Sequence, residues 1–313
     1  MYKKSIEVYE VTNETAKEPS LDSIKHKKLY IAIDNITTSN NCFEIESEKY
    51  VPCSNLKIEH QCLKYIIKNE VNDLYKRNKG NNKILLASYR GKMPQNADIE
   101  NMLFYNIGTG LFAKFFSGKK TQQAAFWVED NNDGQHIKYR YEINNIPKNI
   151  ADKLENPLAK WENITIGNGN TLPEKPDEYF TALRTNINNN EITINSKEQC
   201  KTSFGIKITL TVPASNTTTH PVSVMKHLLD GVICAFHGEK GETEQMLKEK
   251  FKDEELKCQA DWPILGNQDY LRKYRNGFKW YPADEANRLK FGWIIVKCDG
   301  KEYKMSGEIY NWD

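Results

Sequence analysis

The chain has 313 residues, enough for one large core or two ordinary ones, and a hydrophobic content of 39% describes a polar but globular protein. Lys and Arg total 44 against 42 Asp and Glu, a formal charge of +2, so any contact with nucleic acid must come from a local patch rather than from overall charge. No apolar run of about 18 residues is present, which excludes a membrane-spanning helix, and the start Met1-Tyr2-Lys3-Lys4-Ser5 lacks the apolar stretch of a signal peptide, so a cytoplasmic location is expected.

Residues 1–27 are polar, and the first predicted strand is 29–34. Leu56, Leu63, Ile66, Ile67, Val71 and Leu74 then recur at three- and four-residue spacing, which predicts a helix over 55–76 with Gly80 just past its end. A strand at 84–90, a loop, and a helix over 97–107 follow. Two strands near 123–129 and 137–144 are expected to form a hairpin around Gly134. From about 147 to 190 the periodicity loosens and Pro157, Gly167, Gly169, Pro173 and Pro176 punctuate the chain. Strands are predicted again at 191–194 and 205–212, then helices over 221–237 and 242–257, and an aromatic, basic stretch at 270–290. Two closing strands, 292–297 and 303–309, flank a turn at Asp299-Gly300. The segments 84–108 and 205–237 read as copies of one strand–loop–helix unit. The expected fold is therefore α+β (mixed α/β), with an N-terminal lobe at 1–150, a linker or irregular excursion at 151–190 and a C-terminal lobe at 191–313.

Seven scattered cysteines without a CxxC pair read as reduced thiols and give no zinc-finger spacing. No Walker A loop, G-x-G-x-x-G, G-x-S-x-G or H-E-x-x-H pattern is present, which argues against ATPase, dinucleotide-dependent, serine-hydrolase and common zinc-protease chemistry. Three constellations remain. Asp98 and Glu100 at a loop-to-helix junction, with Asn101 beside them, suit Mg²⁺ or Mn²⁺ held by oxygen ligands; equally, Asp98 caps a helix whose buried stripe is Ile99, Met102, Leu103 and Ile107. His227, Asp230, Cys234 and His237 share one face of the 221–237 helix, where the histidines suit acid–base work and Asp230 metal ligation; the bland alternative is a solvated or subunit-facing side. Arg272, Lys273, Arg275 and Trp280 interleave cations with aromatic rings, as a nucleic-acid surface does and as a partly buried aromatic turn does too.

The residues Asp98, Glu100, Asn101 and Met102 resemble the first part of the motif D-x-D-N-L-x-K-x-x-L-D-A-L of RusA-type Holliday-junction resolvases. Lys226, Leu229, Asp230, Gly231 and Val232 resemble its latter part. Phe104 and Gly108 replace the motif's lysine and last aspartate in the first segment, and Pro221 and Val222 lie where the early acidic residues belong in the second. The resemblance covers about a dozen residues in each segment. It implies a fused pair of lobes standing in for a dimer, with Asp98, Glu100 and Asp230 meeting across the lobe interface around magnesium. The departures put cleavage itself in doubt. Two functions are thus expected: a nucleic-acid-acting protein of a microbial or phage-related system, with divalent-metal nuclease chemistry, or a non-catalytic subunit packing against protein partners in a larger complex.

Overall fold

The computed structural model describes residues 33–48, 50–52, 57–80, 84–92, 99–115, 121–129, 136–167, 169, 171–189, 191–195, 200, 202–214, 224–251, 263–274, 277–280 and 288–312. Its centre is one ten-stranded mixed sheet. The first half supplies β1 (Ile33–Thr38), β2 (Cys42–Ser47), α1 (Ile58–Arg77), β3 (Ile84–Arg90), a π-helix (Met102–Asn106), α2 (Thr109–Phe115), β4 (Thr121–Val128) and β5 (Ile137–Asn144). A short α3 (Lys148–Ala151) leads into the second half, which holds β6 (Ala159–Thr165), α4 (Pro176–Asn188), β7 (Thr193–Ile194), β8 (Phe204–Pro213) and α5 (Met225–Ala235). Five small elements follow: β9 (Gly238–Glu239), α6 (Thr243–Phe251), β10 (Asn267–Gln268), β11 (Leu271–Tyr274) and β12 (Gly277–Trp280). The chain ends with β13 (Leu289–Gly300) and β14 (Lys304–Asn311).

The sheet order is β1-β2-β5-β3-β4-β13-β8-β14-β6-β7. Read outward from the central β4–β13 pair, the inner four strands of the two halves have the same connectivity, whereas the edge strands differ: β1 precedes β2, and β7 follows β6 and α4. β3 lies parallel to β4 and antiparallel to β5, which is antiparallel to β2; β8 lies parallel to β13 and antiparallel to β14, which is antiparallel to β6. The two halves meet antiparallel, with Ile294 opposite Ala124. In this layout the segments after β3 and after β8 occupy equivalent places.

Local sequence explains the individual elements. In β5, Ile137, Tyr139, Tyr141 and Ile143 are buried while Lys138, Arg140 and Glu142 are half-buried on the other face, the two-residue period of a strand covered on one side. In α1, Leu63, Ile67, Val71 and Leu74 line up and are fully buried, each contributing about 1.5–3 kcal/mol. The α1 stripe, the π-helix, α2, α4, α5 and α6 all cover one face of the sheet. A smaller cluster of Leu86, Ala125, Trp127, Phe291 and Trp312 sits under α3 on the opposite face.

Several expectations need correction. The predicted hairpin does not form, because β3 lies between β4 and β5, and the two closing strands do not pair either, because β8 lies between β13 and β14. Gly134 itself lies outside the described residues. The supposed linker at 151–190 supplies β6 and α4. Pro176 takes the first turn of α4, where a proline costs no hydrogen bond, and Tyr179, Phe180, Leu183 and Ile187 form its buried stripe. The helix expected at 97–107 is a π-helix and a separate α2, parted at Gly108, whose φ of +77° a side chain would disfavour. Among the described residues, Cys42, Cys62, Cys200, Cys234 and Cys298 are reduced thiols, as expected.

Candidate functional site

The equivalent segments meet on the helix-covered face. Glu100 lies in the turn that leads into the π-helix, and Leu103 and Phe104 donate their backbone N–H groups back to its carbonyl. Its side chain is only 5% exposed. From the other half, Lys226 on the first turn of α5 donates to Oε1 of Glu100 and also lies 3.2 Å from Oδ1 of Asp230, one turn further along the same helix. Lys226 and Asp230 keep 24% and 15% of their side chains in contact with solvent. Asn101, next in sequence to Glu100, and Asn106 are buried, and the Oδ1 atom of each accepts no hydrogen bond among the described residues. Taking Glu100 out of water is costly, and the Lys226 ammonium offsets that cost.

The trio carries one net negative charge. A divalent ion shared by Glu100 and Asp230 would need the position between them, and the Lys226 ammonium holds that position. Among the described residues no group of three or more His, Cys, Asp and Glu side chains is arranged to hold a metal. The described residues therefore do not fit the Mg²⁺ or Mn²⁺ expected there: two of the three proposed ligands converge, but on a lysine. Asp98 lies outside the described residues, as do both of the readings made for it.

The predicted polar face of the 221–237 helix breaks up. α5 ends at Ala235, and Cys234 is fully buried with the apolar side chains around it. His227 is exposed at the start of the helix, next in sequence to Lys226. His237 lies past the helix end, wholly buried, with Nδ1 3.2 Å from the Gly266 carbonyl and no partner for Nε2 among the described residues. Burial, helped by the charges of Arg288 and Arg184, pushes its pKa down to about 3 against the pull of carbonyl hydrogen bonds. In this setting His237 stays neutral and closed to substrate, which corrects its expected acid–base role.

The segment from 270 is a β-hairpin, with Leu271 opposite Trp280 and Arg272 opposite Lys279. Trp280 faces the protein: its ring centroid is 4.8 Å from that of Phe180, it lies parallel to Tyr270, and its Nε1 donates to Asp177 Oδ1 at 2.5 Å. That packing removes Trp280 as an open stacking surface. Arg272 and Lys273 remain 41% and 59% exposed, paired with Asp269 at 3.0 Å and Glu249 at 2.8 Å. Pairs this exposed are weak enough to be exchanged for phosphate. Arg275 lies outside the described residues.

Sequence reasoning missed a buried network behind the hairpin. Arg184 of α4 is wholly buried and donates to Glu239 Oε1 at 2.7 Å, to the His237 carbonyl at 2.6 Å and to the Tyr270 hydroxyl at 2.8 Å. Its guanidinium also lies 4.8 Å from the Phe180 ring centroid. Nothing local to Arg184 marks it, because its partners come from segments about 53 to 86 residues away. Lys226 carried a signal, the four-residue step to Asp230, which aligns the pair on one helix face. Comparison of the chain with protein families, with characterised proteins and with solved structures finds no match.

Proposed function

We propose that this chain is a non-catalytic nucleic-acid-binding protein that engages a phosphate backbone where its two halves meet. The observation that carries this reading is the convergence of Glu100, Lys226 and Asp230. They come from the two segments that resemble the parts of the RusA-type motif, and those segments take equivalent places in the sheet. A phosphate oxygen reaches the partly exposed Lys226 ammonium by displacing Asp230, the more exposed of its two carboxylate partners, while Glu100 keeps the ammonium in position. Arg272 and Lys273 add exposed cations from the second half. Hydrolysis is not part of the proposal, because the lysine occupies the point that a shared divalent ion would take.

The test is fluorescence anisotropy with a labelled four-way DNA junction and a matching duplex, with and without Mn²⁺, followed by gel analysis of the same samples. Intact DNA, binding that weakens with salt, and weaker binding by Lys226→Gln are the expected results. Mn²⁺-dependent cleavage lost in Glu100→Gln and Asp230→Asn would replace this reading by the nuclease. Absence of binding to either DNA would remove nucleic acid from the description altogether.

A further inference from the structure

The face of the sheet opposite α1, α2, α4, α5 and α6 carries, in the second half, a depression of about 290 Å³. Strand register fixes what lines it. In one row across the strands, Lys207 of β8 stands between Trp293 of β13 and Glu308 of β14, and Glu308 faces Lys160 of β6. Two residues along, Thr209 stands between Ile295 and Ser306; two further, Thr211 stands between Lys297 and Lys304. Successive rows are about 7 Å apart and neighbours within a row about 5 Å. A floor of three hydroxyls, on Thr209, Thr211 and Ser306, is thus bracketed by lysines at both ends.

The carboxylates in this area are spoken for. Glu308 accepts from Lys207 at 2.8 Å and from the Tyr310 hydroxyl at 2.6 Å. Burial would raise the Glu308 pKa, but these bonds outweigh it and hold the carboxyl below its ordinary value. Glu162 pairs with Lys160 at 2.9 Å, and Glu302 with Lys304 at 3.5 Å. Four lysines against three carboxylates leave a cationic excess, with Lys297 exposed at the rim. The matching face of the first half has the opposite balance. There Lys138 lies between Glu44 and Glu46, and Arg140 between Glu44 and Glu142. The same order of the inner four strands with unlike charge means that the fold does not require the lysines.

We infer that this face of the second half binds the backbone of single-stranded nucleic acid. Phosphate oxygens are received by Lys207 and Lys297 and by the hydroxyls between them, and Trp293 provides a ring edge for a base at the end of the row. Trp293 is half-buried, held by its Nε1 bond to Gln123 Oε1 at 3.2 Å, and has the Lys207 ammonium 5.4 Å from its ring centroid. Cations lining a groove beside an aromatic ring form the usual pattern for sequence-tolerant binding of single strands. The inference rests on the nucleic-acid reading above for the class of ligand. It does not rest on Lys226, whose helix packs on the opposite face.

The test uses the full chain and a labelled oligothymidylate, with anisotropy read at several salt concentrations. Lys297→Gln and Lys207→Gln/Lys297→Gln are compared with Lys226→Gln, and circular dichroism checks that each folds. The expected result is weaker binding in the open-face variants, a salt slope smaller by about 0.7 for each phosphate contact removed, and tighter binding of the single strand than of duplex. Lys297→Gln disturbs no ion pair among the described residues, so its effect stands even if the double variant loses stability. Unchanged affinity and slope in both open-face variants overturns the inference. So does competition by free inorganic phosphate as effective as by unlabelled oligothymidylate, which marks a small-anion site. Loss confined to Lys226→Gln sinks this inference and leaves the proposed function standing; loss confined to the open face does the reverse.

Discussion

Lys226 and Glu100 are 126 residues apart in sequence, yet the ammonium of one is hydrogen-bonded to the carboxylate of the other across the two halves of the sheet. Glu100 is almost fully covered, so removing its partner strands a charge. Lys226→Met is expected to destabilise the protein by about 2–3 kcal/mol, below the penalty for a wholly buried pair because Lys226 keeps a wet edge. Glu100→Gln/Lys226→Met should cost less than the two single changes combined, with a coupling of about 1–3 kcal/mol. Urea unfolding of the four proteins measures this, and strictly additive losses would show that the contact carries no energy.

Gly231 sets how closely α4 and α5 approach. A Cβ at this position would lie 2.5 Å from the Pro176 carbonyl oxygen and 2.8 Å from Tyr179 Cβ, so the helices must part to admit it. Gly231→Ala should lower stability by about 1–3 kcal/mol even though alanine favours helix. A neutral or stabilising effect in thermal unfolding would mean that the helices shift at no cost.

The Arg184 network predicts a steep penalty. Arg184→Met fills the volume but leaves Glu239, the Tyr270 hydroxyl and the His237 carbonyl without their shared donor. A loss of about 3–5 kcal/mol is expected. Glu239→Gln, which keeps an acceptor for the guanidinium, should cost less. Equal unfolding midpoints for wild type and Arg184→Met would refute the role assigned to the network.

His237 predicts a particular pH dependence. Its pKa falls from 6.5 to about 3 on folding, so between those values the unfolded chain takes up a proton that the native protein refuses. This contribution is fully present above about pH 6.5 and is lost as pH falls toward 3, at up to about 1.4 kcal/mol per pH unit. His237→Gln retains a donor for the Gly266 carbonyl and should flatten that slope. Stability measured by urea from pH 7 to pH 4 gives the comparison, and parallel curves for the two proteins would contradict it.

The elements themselves were largely legible in the chain. Ile137, Tyr139, Tyr141 and Ile143 alternate, and Leu63, Ile67, Val71 and Leu74 return each turn, because burial on one side imposes a period that neighbouring residues must show. Reduced cysteines and the mixed α+β class followed from the same local evidence. Strand order did not. β3 separates β4 from β5, and β8 separates β13 from β14, since parallel pairing over a helical crossover is decided by which long-range contacts close the core, and no turn residue encodes it. The fate of polar side chains was equally hidden. Glu100 and Asp230 were readable as acidic groups, but only tertiary packing set a lysine between them, enclosed His237 and turned Trp280 inward. Charge type is written residue by residue, whereas the partner and the solvent around a charge are properties of the assembled fold.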